Sequence, residues 1–441
     1  MIDDGGSRPW RRALAWLAFL APFFFLSYGL ANWAAGQRAH VPSIAFAWES
    51  GIPFMPWTIL PYWSIDALYA LSLFVCASRR ELDTHAKRLV TAQVVAVACF
   101  VLVPLRFSFD RPAADGLPGL MFAALAGFDQ PFNQVPSLHI ALAAILWALY
   151  ARKLVGMARR VMDAFFALIC VSVLTTYQHH FIDIPTGVLL GAVCMWAWPF
   201  ADEGDGRPMH AHWRAVRDWA RLRLAAIYAG GAVLLALVAL RLGGWALWLT
   251  WASVSLLLVA LAYAGVGPGA FQKNGRGSLS IAARCLFAPY LASAWINSRA
   301  WTWRDPAPVA IADGVFLGRV PGARELAASG FTGVVDLSAE LDLEAGEREL
   351  GVVALLDLTP PDPAALAQAA QEIEMKRRRG AVLVCCALGF SRSACAVAAW
   401  LLVTRRAPDV QAAVAVVCRA RTAVVLNAGH AAALRAVETG R

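Results

Sequence analysis

Ala381-Val382-Leu383-Val384-Cys385-Cys386-Ala387-Leu388-Gly389-Phe390-Ser391-Arg392-Ser393 decides both the fold of the C-terminal region and the chemistry of the chain. Its first four residues are an apolar run of the kind a buried strand requires, and residues 392–405 read as a helix. Between them, Cys386 and Arg392 are separated by five residues. Successive backbone N–H groups in such a turn form an anion nest at a helix N-terminus. The same field favours thiolate at Cys386. Arg392 can hold two phosphate oxygens at once, Ser393 can donate a hydrogen bond to sulfur, and Gly389 permits the turn. The spacing alone is common in a chain with nine cysteines. The strand before it, the glycine within it, the serine after it and the helix behind it make it specific.

Outward from this loop, strands at 315–317, 333–337 and 352–356 alternate with helices at 323–329, 363–379, 409–419 and 429–439. That alternation predicts a mainly parallel sheet covered by helices. Breaking a phosphoester also calls for an acid to protonate the leaving oxygen. Asp357 lies 29 residues before Cys386, at the end of a strand, and Asp362 competes with it. Asp362 is better placed as the N-cap of the 363–379 helix, which favours Asp357 as the acid. The chemistry calls for no metal or cofactor.

The remainder of the chain is of a different kind. Hydrophobic residues make up 59% of the sequence and charged residues 16%, the balance of a membrane protein. Apolar stretches near 13–33, 58–78, 89–105, 138–151, 161–176, 184–200, 224–240 and 244–265 predict eight spans. The net charge of +9 does not indicate nucleic-acid binding, because the positive residues sit in alternate loops. One set of loops carries 16 Lys and Arg, among them Arg79, Arg80, Arg152, Lys153 and Arg214, against 4 in the other. The first set, with the N-terminus and the C-terminal domain, is expected in the cytoplasm. Ala34-Ala35-Gly36 has the look of a signal-peptide cleavage site, but the preceding apolar run of about 20 residues is long for one and reads as an uncleaved anchor. Residues 281–296 are apolar but short and carry Arg284, so they read as an interfacial helix, with a ninth span as the alternative. None of the nine cysteines falls in an outer loop, so no disulfide framework is implied.

Histidines near the ends of apolar segments suggest a second site. His139 opens the fourth span, and Tyr177-Gln178-His179-His180-Phe181-Ile182-Asp183 joins the fifth and sixth. His179 and Asp183, four apart, would share a face of a helix. A carboxylate on one ring nitrogen orients an imidazole whose other nitrogen attacks phosphorus. His139 would protonate the leaving oxygen, and Arg106 and Arg111 would hold the phosphate. His180 reads as an interfacial residue.

Two resemblances follow from these residues. Over about 305–435, the loop Cys386–Ser393, Asp357 and the closing Val417-Cys418-Arg419-Ala420-Arg421 resemble the dual-specificity phosphatases, in particular the compact group that includes lipid phosphatases. The resemblance implies a phosphocysteine on Cys386, phosphate binding by Arg392 and acid catalysis by Asp357. It departs at Cys385, where the family usually has histidine; that puts thiolate activation in question and sets two thiols side by side. Over about 50–200, Arg111-Pro112, Pro136-Ser137-Leu138-His139 and Ser172, His179 and Asp183 resemble the type 2 phosphatidic acid phosphatases. Pro104 and Val173 stand where that family has lysine and arginine, with Arg106 a substitute, and the layout is similar to the branch near sphingomyelin synthases.

Together these imply an α-helical polytopic membrane domain (a six-helix core over 1–205), two further transmembrane helices and an interfacial linker over 206–300, and an α/β cysteine-phosphatase domain over 301–441. The whole is similar to fused bacterial inner-membrane phosphatases, with the histidine site facing the periplasm. The expected substrate is a phospholipid or lipid phosphate. The alternatives are a protein phosphatase anchored by a degenerate membrane domain, and a lipid-binding or flipping module.

Overall fold

The structure is a computed structural model that describes residues 8–127 and 129–439. The chain forms two compact units, 1–200 and 201–441.

The first unit is helical: α1 (Trp10–Gly36), α2 (Ile59–Val75), α3 (Arg79–Leu102), α4 (Gly116–Ala126), α5 (Leu138–Lys153), α6 (Gly156–Thr175) and α7 (Asp183–Ala197). Hydroxyl caps start two of them: Ser78 accepts from the Glu81 N–H at 3.1 Å, and Ser137 from that of Ile140 at 3.2 Å. All six spans expected before residue 201 are helical, and α4 is an addition. The packing of α7 on α5 depends on Gly187, where a Cβ would lie 2.6 Å from the Ser137 carbonyl oxygen. Five helical segments of the described chain are long and apolar enough to cross a membrane: Trp10–Gly36, Pro56–Val75, Arg79–Leu102, Trp219–Leu242 and Gly244–Phe271.

The second unit opens with α8 (Trp219–Leu242) and α9 (Leu249–Leu261), which pack together, followed by α10 (Ile281–Trp301). Strands β1 (Val309–Ala312), β2 (Val315–Arg319), β3 (Gly333–Ser338), β4 (Glu349–Leu355) and β5 (Val382–Cys386) then form a sheet in the order β1-β2-β5-β3-β4. The sheet is mixed, because β1 runs antiparallel to β2 while the other pairs are parallel. The sequence pattern does not announce β1: Val309-Ala310-Ile311-Ala312 is too short to stand out, and it gains strand geometry from its tight turn through Asp313 and Gly314, both at positive φ. β5 is central and wholly buried. Its alternate side chains feed two cores: Val382, Val384 and Cys386 face the cluster around Trp400, while Leu383 and Cys385 face that of Val334 and Leu341.

Covering helices are α11 (Ala323–Ala327), α12 (Pro363–Arg377), α13 (Arg392–Val403), α14 (Val410–Ala420) and α15 (Ala428–Thr439). α13 lies in the core, and every residue from Arg392 to Leu402 is buried. The segment between α9 and α10 is locked into the sheet domain: Lys273, its side chain fully buried, pairs with Asp336 of β3 and donates to the carbonyls of Ser338 (2.7 Å) and Leu341 (2.6 Å). α8 and α9 belong to the same compact unit as the sheet.

Candidate active site

The turn from β5 into α13 wraps its backbone around one sulfur. Cys386 Sγ, 2% exposed by residue, accepts the Gly389 N–H at 3.3 Å and the Ser393 hydroxyl at 3.2 Å. Gly389 has φ +76°, and a Cβ there would lie 2.5 Å from the Gly318 carbonyl carbon, so only glycine fits. The loop is tied on three sides. Ser298 of α10 donates to the Ala387 carbonyl at 2.5 Å, Val320 N–H donates to the Cys386 carbonyl at 2.8 Å, and Ser391 Oγ meets His430 Nε2 at 2.8 Å. Burial pushes the His430 imidazole below its usual value. The Arg421 guanidinium lies 5.2 Å above the Phe390 ring.

Arg392 begins α13 and is 1% exposed. Its Nη1 and Nη2 form a fork on Glu340 (2.7 and 2.6 Å), Nη1 also donates to the Leu355 carbonyl at 3.0 Å, and Nη2 lies 3.3 Å from Asp357 Oδ1. Nε is buried with no partner among the described residues, which leaves it available to a phosphate oxygen. Burial alone would depress the guanidinium, but the Glu340 and Asp357 carboxylates hold it well above its ordinary value. Burial likewise opposes the charge on Glu340, and the Arg392 charge prevails and keeps its carboxyl below the usual range.

Asp357 follows β4 and is part-exposed at the mouth of this pocket. Its carbonyl accepts from Tyr263 Oη at 3.0 Å. The next residue, Leu358, has φ +57°, a left-handed conformation that costs a non-glycine roughly 1–2 kcal/mol. Asp362 sits away from the pocket and accepts from the Ala364 N–H at 3.2 Å, as an N-cap. Cys385 points to the opposite face of β5 from Cys386, fully buried, and burial followed by the nearby Asp336 pushes its thiol well up. The two adjacent thiols therefore do not share a pocket. Sequence reasoning missed Glu340, Tyr263, Ser298 and His430.

Residues 315–440 match the family of the dual specificity phosphatase catalytic domain. The chain contains a phosphatase domain. Solved structures that match this region include human DUSP28, 28% identical, covering 30% of this chain and 96% of that one with a TM-score of 0.28. Tk-PTP in the active form is 29% identical, covering 31% and 98%, with a TM-score of 0.28. PTPMT1 in complex with PI(5)P is 20% identical, covering 30% and 95%, with a TM-score of 0.28. No match was found among curated proteins. The phosphatase domain makes the protein a phosphoric monoester hydrolase.

In the helical unit, His179 Nδ1 meets Asp183 Oδ2 at 2.8 Å, and its Nε2 lies 3.3 Å from Ser137 Oγ. The pair is not on a helix, as the spacing suggested. His179 lies in a loop, after Tyr177 at φ +55°, and Asp183 is the first residue of α7. His139 stacks on Tyr62 with ring centroids 4.2 Å apart, and lines one cavity of about 240 Å3 with His179 and Asp129. Arg106 and Arg111 do not join them there. They line an adjoining cavity of about 460 Å3 that shares Leu125 and Asp129 with the first, and Arg111 is engaged by the carbonyls of Thr176 (3.2 Å) and Tyr177 (3.3 Å). His180 is consumed structurally, with Nδ1 on the buried Glu49 (2.9 Å) and Nε2 near Ser43 (3.3 Å) and Ser108 (3.1 Å).

Proposed function

We propose that the protein is a membrane-embedded phosphatase that cleaves a phosphomonoester from a phospholipid through a phosphocysteine. The observation that carries the catalytic part is the sulfur of Cys386, which receives two hydrogen bonds inside a loop that also positions Arg392 beside Asp357. The Cys386 thiolate attacks phosphorus while Arg392 and the loop N–H groups hold the phosphoryl oxygens. The bond from phosphorus to the ester oxygen breaks, and the Asp357 carboxyl gives that oxygen its proton. Water then attacks the phosphocysteine, Asp357 takes the proton from that water, and the sulfur–phosphorus bond breaks with the Ser393 hydroxyl stabilising the departing thiolate. The products are an alcohol and inorganic phosphate.

The lipid part of the reading rests on the construction of the second unit. Helices of membrane length, α8 and the segment containing α9, are built into the same body as the sheet. α10 and the chain just after it expose Trp295, Trp301 and Trp303, the residue type that settles at a membrane interface. In this reading the basic loops and the phosphatase domain lie on the cytoplasmic side of a bacterial inner membrane. The helical unit is a type 2 phosphatidic acid phosphatase-like core whose His179, His139 and Asp183 form a second phosphate-handling site facing the periplasm.

The test is full-length protein in lipid nanodiscs, assayed on phosphatidic acid and on a phosphotyrosyl peptide beside Cys386→Ser. Lipid turnover well above peptide turnover, abolished by Cys386→Ser, is the expected result. Strong preference for the peptide would replace the lipid reading with that of an anchored protein phosphatase.

A further inference from the structure

The catalytic mouth opens into a cavity of about 750 Å3 with two chemically different ends. At one end stand Glu340, Asp357 and Ala387, which flank the phosphate loop. At the other stand Leu235 of α8, with Ala252 and Leu256 of α9. Tyr228 and Tyr290 line the passage between them. Tyr263 joins this collar: its ring stacks on Tyr228 at 5.5 Å, and its hydroxyl donates to the Asp357 carbonyl at 3.0 Å. The acid loop is thus fastened to the same tyrosines that frame the passage.

The direction of the cavity is informative. Leu235 lies seven residues beyond Tyr228 on α8, about 10 Å along the helix axis at 1.5 Å per residue. Both helices that form this end belong to the membrane-length set. Tyrosines at the passage and exposed tryptophans on α10 are residues that settle at headgroup depth. The far end therefore leads toward the hydrocarbon region. A peptide threaded there would bury backbone N–H and C=O groups against Leu235, Ala252 and Leu256, whose side chains offer no hydrogen-bond partner. Leu358, 64% exposed beside Asp357, adds a further apolar side chain at the catalytic end.

We infer that this cavity is an acyl slot: with the phosphate at Cys386, a hydrocarbon chain of the same substrate molecule passes the tyrosine collar and lies between α8 and α9. This rests on the lipid-phosphate reading above and extends it. α8 and α9 are a substrate-binding part of the phosphatase, and the enzyme discriminates among phosphomonoesters by the length of the attached chain.

The experiment uses full-length protein in detergent and a series of primary alkyl monophosphates from ethyl to decyl, with each variant referred to its own rate on ethyl phosphate. In the unmodified enzyme kcat/KM should rise by up to about fourfold per methylene, then level off where the slot ends. Leu235→Trp and Leu256→Trp should each lower the decyl-to-ethyl ratio by tenfold or more. Leu237→Trp, at an exposed position of α8 outside the cavity, should keep the ratio. A flat profile in the unmodified enzyme, or an unchanged ratio in both slot variants while ethyl phosphate is still turned over, overturns the slot. Phosphatidic acid and a phosphotyrosyl peptide, run in parallel, separate the two levels. Lipid turnover with a flat alkyl profile removes the slot and keeps the lipid reading, whereas turnover of the peptide alone removes both.

Discussion

Replacing Glu340 by glutamine tests whether the phosphate-binding arginine is held by a buried charge pair. Arg392 and Glu340 are 1% and 4% exposed in their side chains and share two bonds of 2.7 and 2.6 Å. Removing one member of such a pair leaves an uncompensated buried charge, at a cost of about 3–5 kcal/mol. Glutamine keeps one acceptor, and the Leu355 carbonyl (3.0 Å) and Asp357 (3.3 Å) remain, so the lower end, about 3 kcal/mol, is expected. For a body of this size that is a fall in Tm of roughly 6–12 °C. Thermal unfolding of full-length protein, with and without tungstate, reads it. The anion should recover more of the loss in Glu340→Gln than it adds to the unmodified protein, because it supplies the missing countercharge to Arg392. The sign of the pH dependence is fixed too. The Glu340 carboxyl is held low in the fold, so its contribution is complete above the unfolded value near 4.3 and is lost as pH falls through the folded one. The two proteins should therefore converge in acid. A Tm difference below about 2 °C at neutral pH, well under the expected range, would refute the reasoning.

Asp357→Asn should lower kcat on an alkyl phosphate by about 10²–10⁴-fold, the usual range for general acid catalysis, while Asp362→Ala should leave kcat within about twofold and cost about 1 kcal/mol as a lost cap, read by phosphate release and thermal unfolding. Gly389→Ala, which would drive a Cβ to 2.5 Å from the Gly318 carbonyl carbon, should abolish measurable phosphate release with the protein still expressed and monodisperse. In the helical unit, His180→Ala should cost modest stability, because the buried Glu49 keeps the Phe46 and Phe181 N–H groups (2.7 and 3.0 Å). His179→Ala, which strands the buried Asp183, should destabilise more and remove any turnover that survives Cys386→Ser. Equal behaviour of the two variants in thermal unfolding would remove the distinction between them.

What the sequence disclosed depended on range. The phosphate loop was legible because Cys386, Gly389, Arg392 and Ser393 are local: strand, turn and helix are written consecutively, and the chemistry of each residue follows from its place in the turn. Asp362 as a cap and Asp357 at a strand end were legible for the same reason. Glu340 was not, because it meets Arg392 only through the sheet order, which sets β3 beside β5. Tyr263 is 94 residues from Asp357 and sits in a segment that reads as a membrane span, so nothing local marks its hydroxyl as a partner of the acid loop. The antiparallel β1 escaped because four residues of weak pattern become a strand only by pairing with β2. For His179 and Asp183 the contact was anticipated and the backbone was not: a loop and a helix start, with Tyr177 left-handed, bring together what a helical turn was expected to. Arg106 and Arg111 were grouped with the histidines by membrane level and by the resemblance carried by Arg111-Pro112, and they line a cavity that shares only Leu125 and Asp129 with that of the histidines.

The central claim is that phosphoryl transfer passes through Cys386. Asp357→Asn, given p-nitrophenyl phosphate, should still form the intermediate, because that leaving group needs little protonation, but should break it down slowly for want of a base. Rapid alkaline denaturing quench, which preserves both phosphocysteine and phosphohistidine, followed by peptide mass analysis should find the phosphoryl increment on the peptide containing Cys386 and lose it in the Asp357→Asn, Cys386→Ser double variant. A phosphoryl group on His179 instead, or undiminished turnover by Cys386→Ser with no adduct at all, would contradict the account.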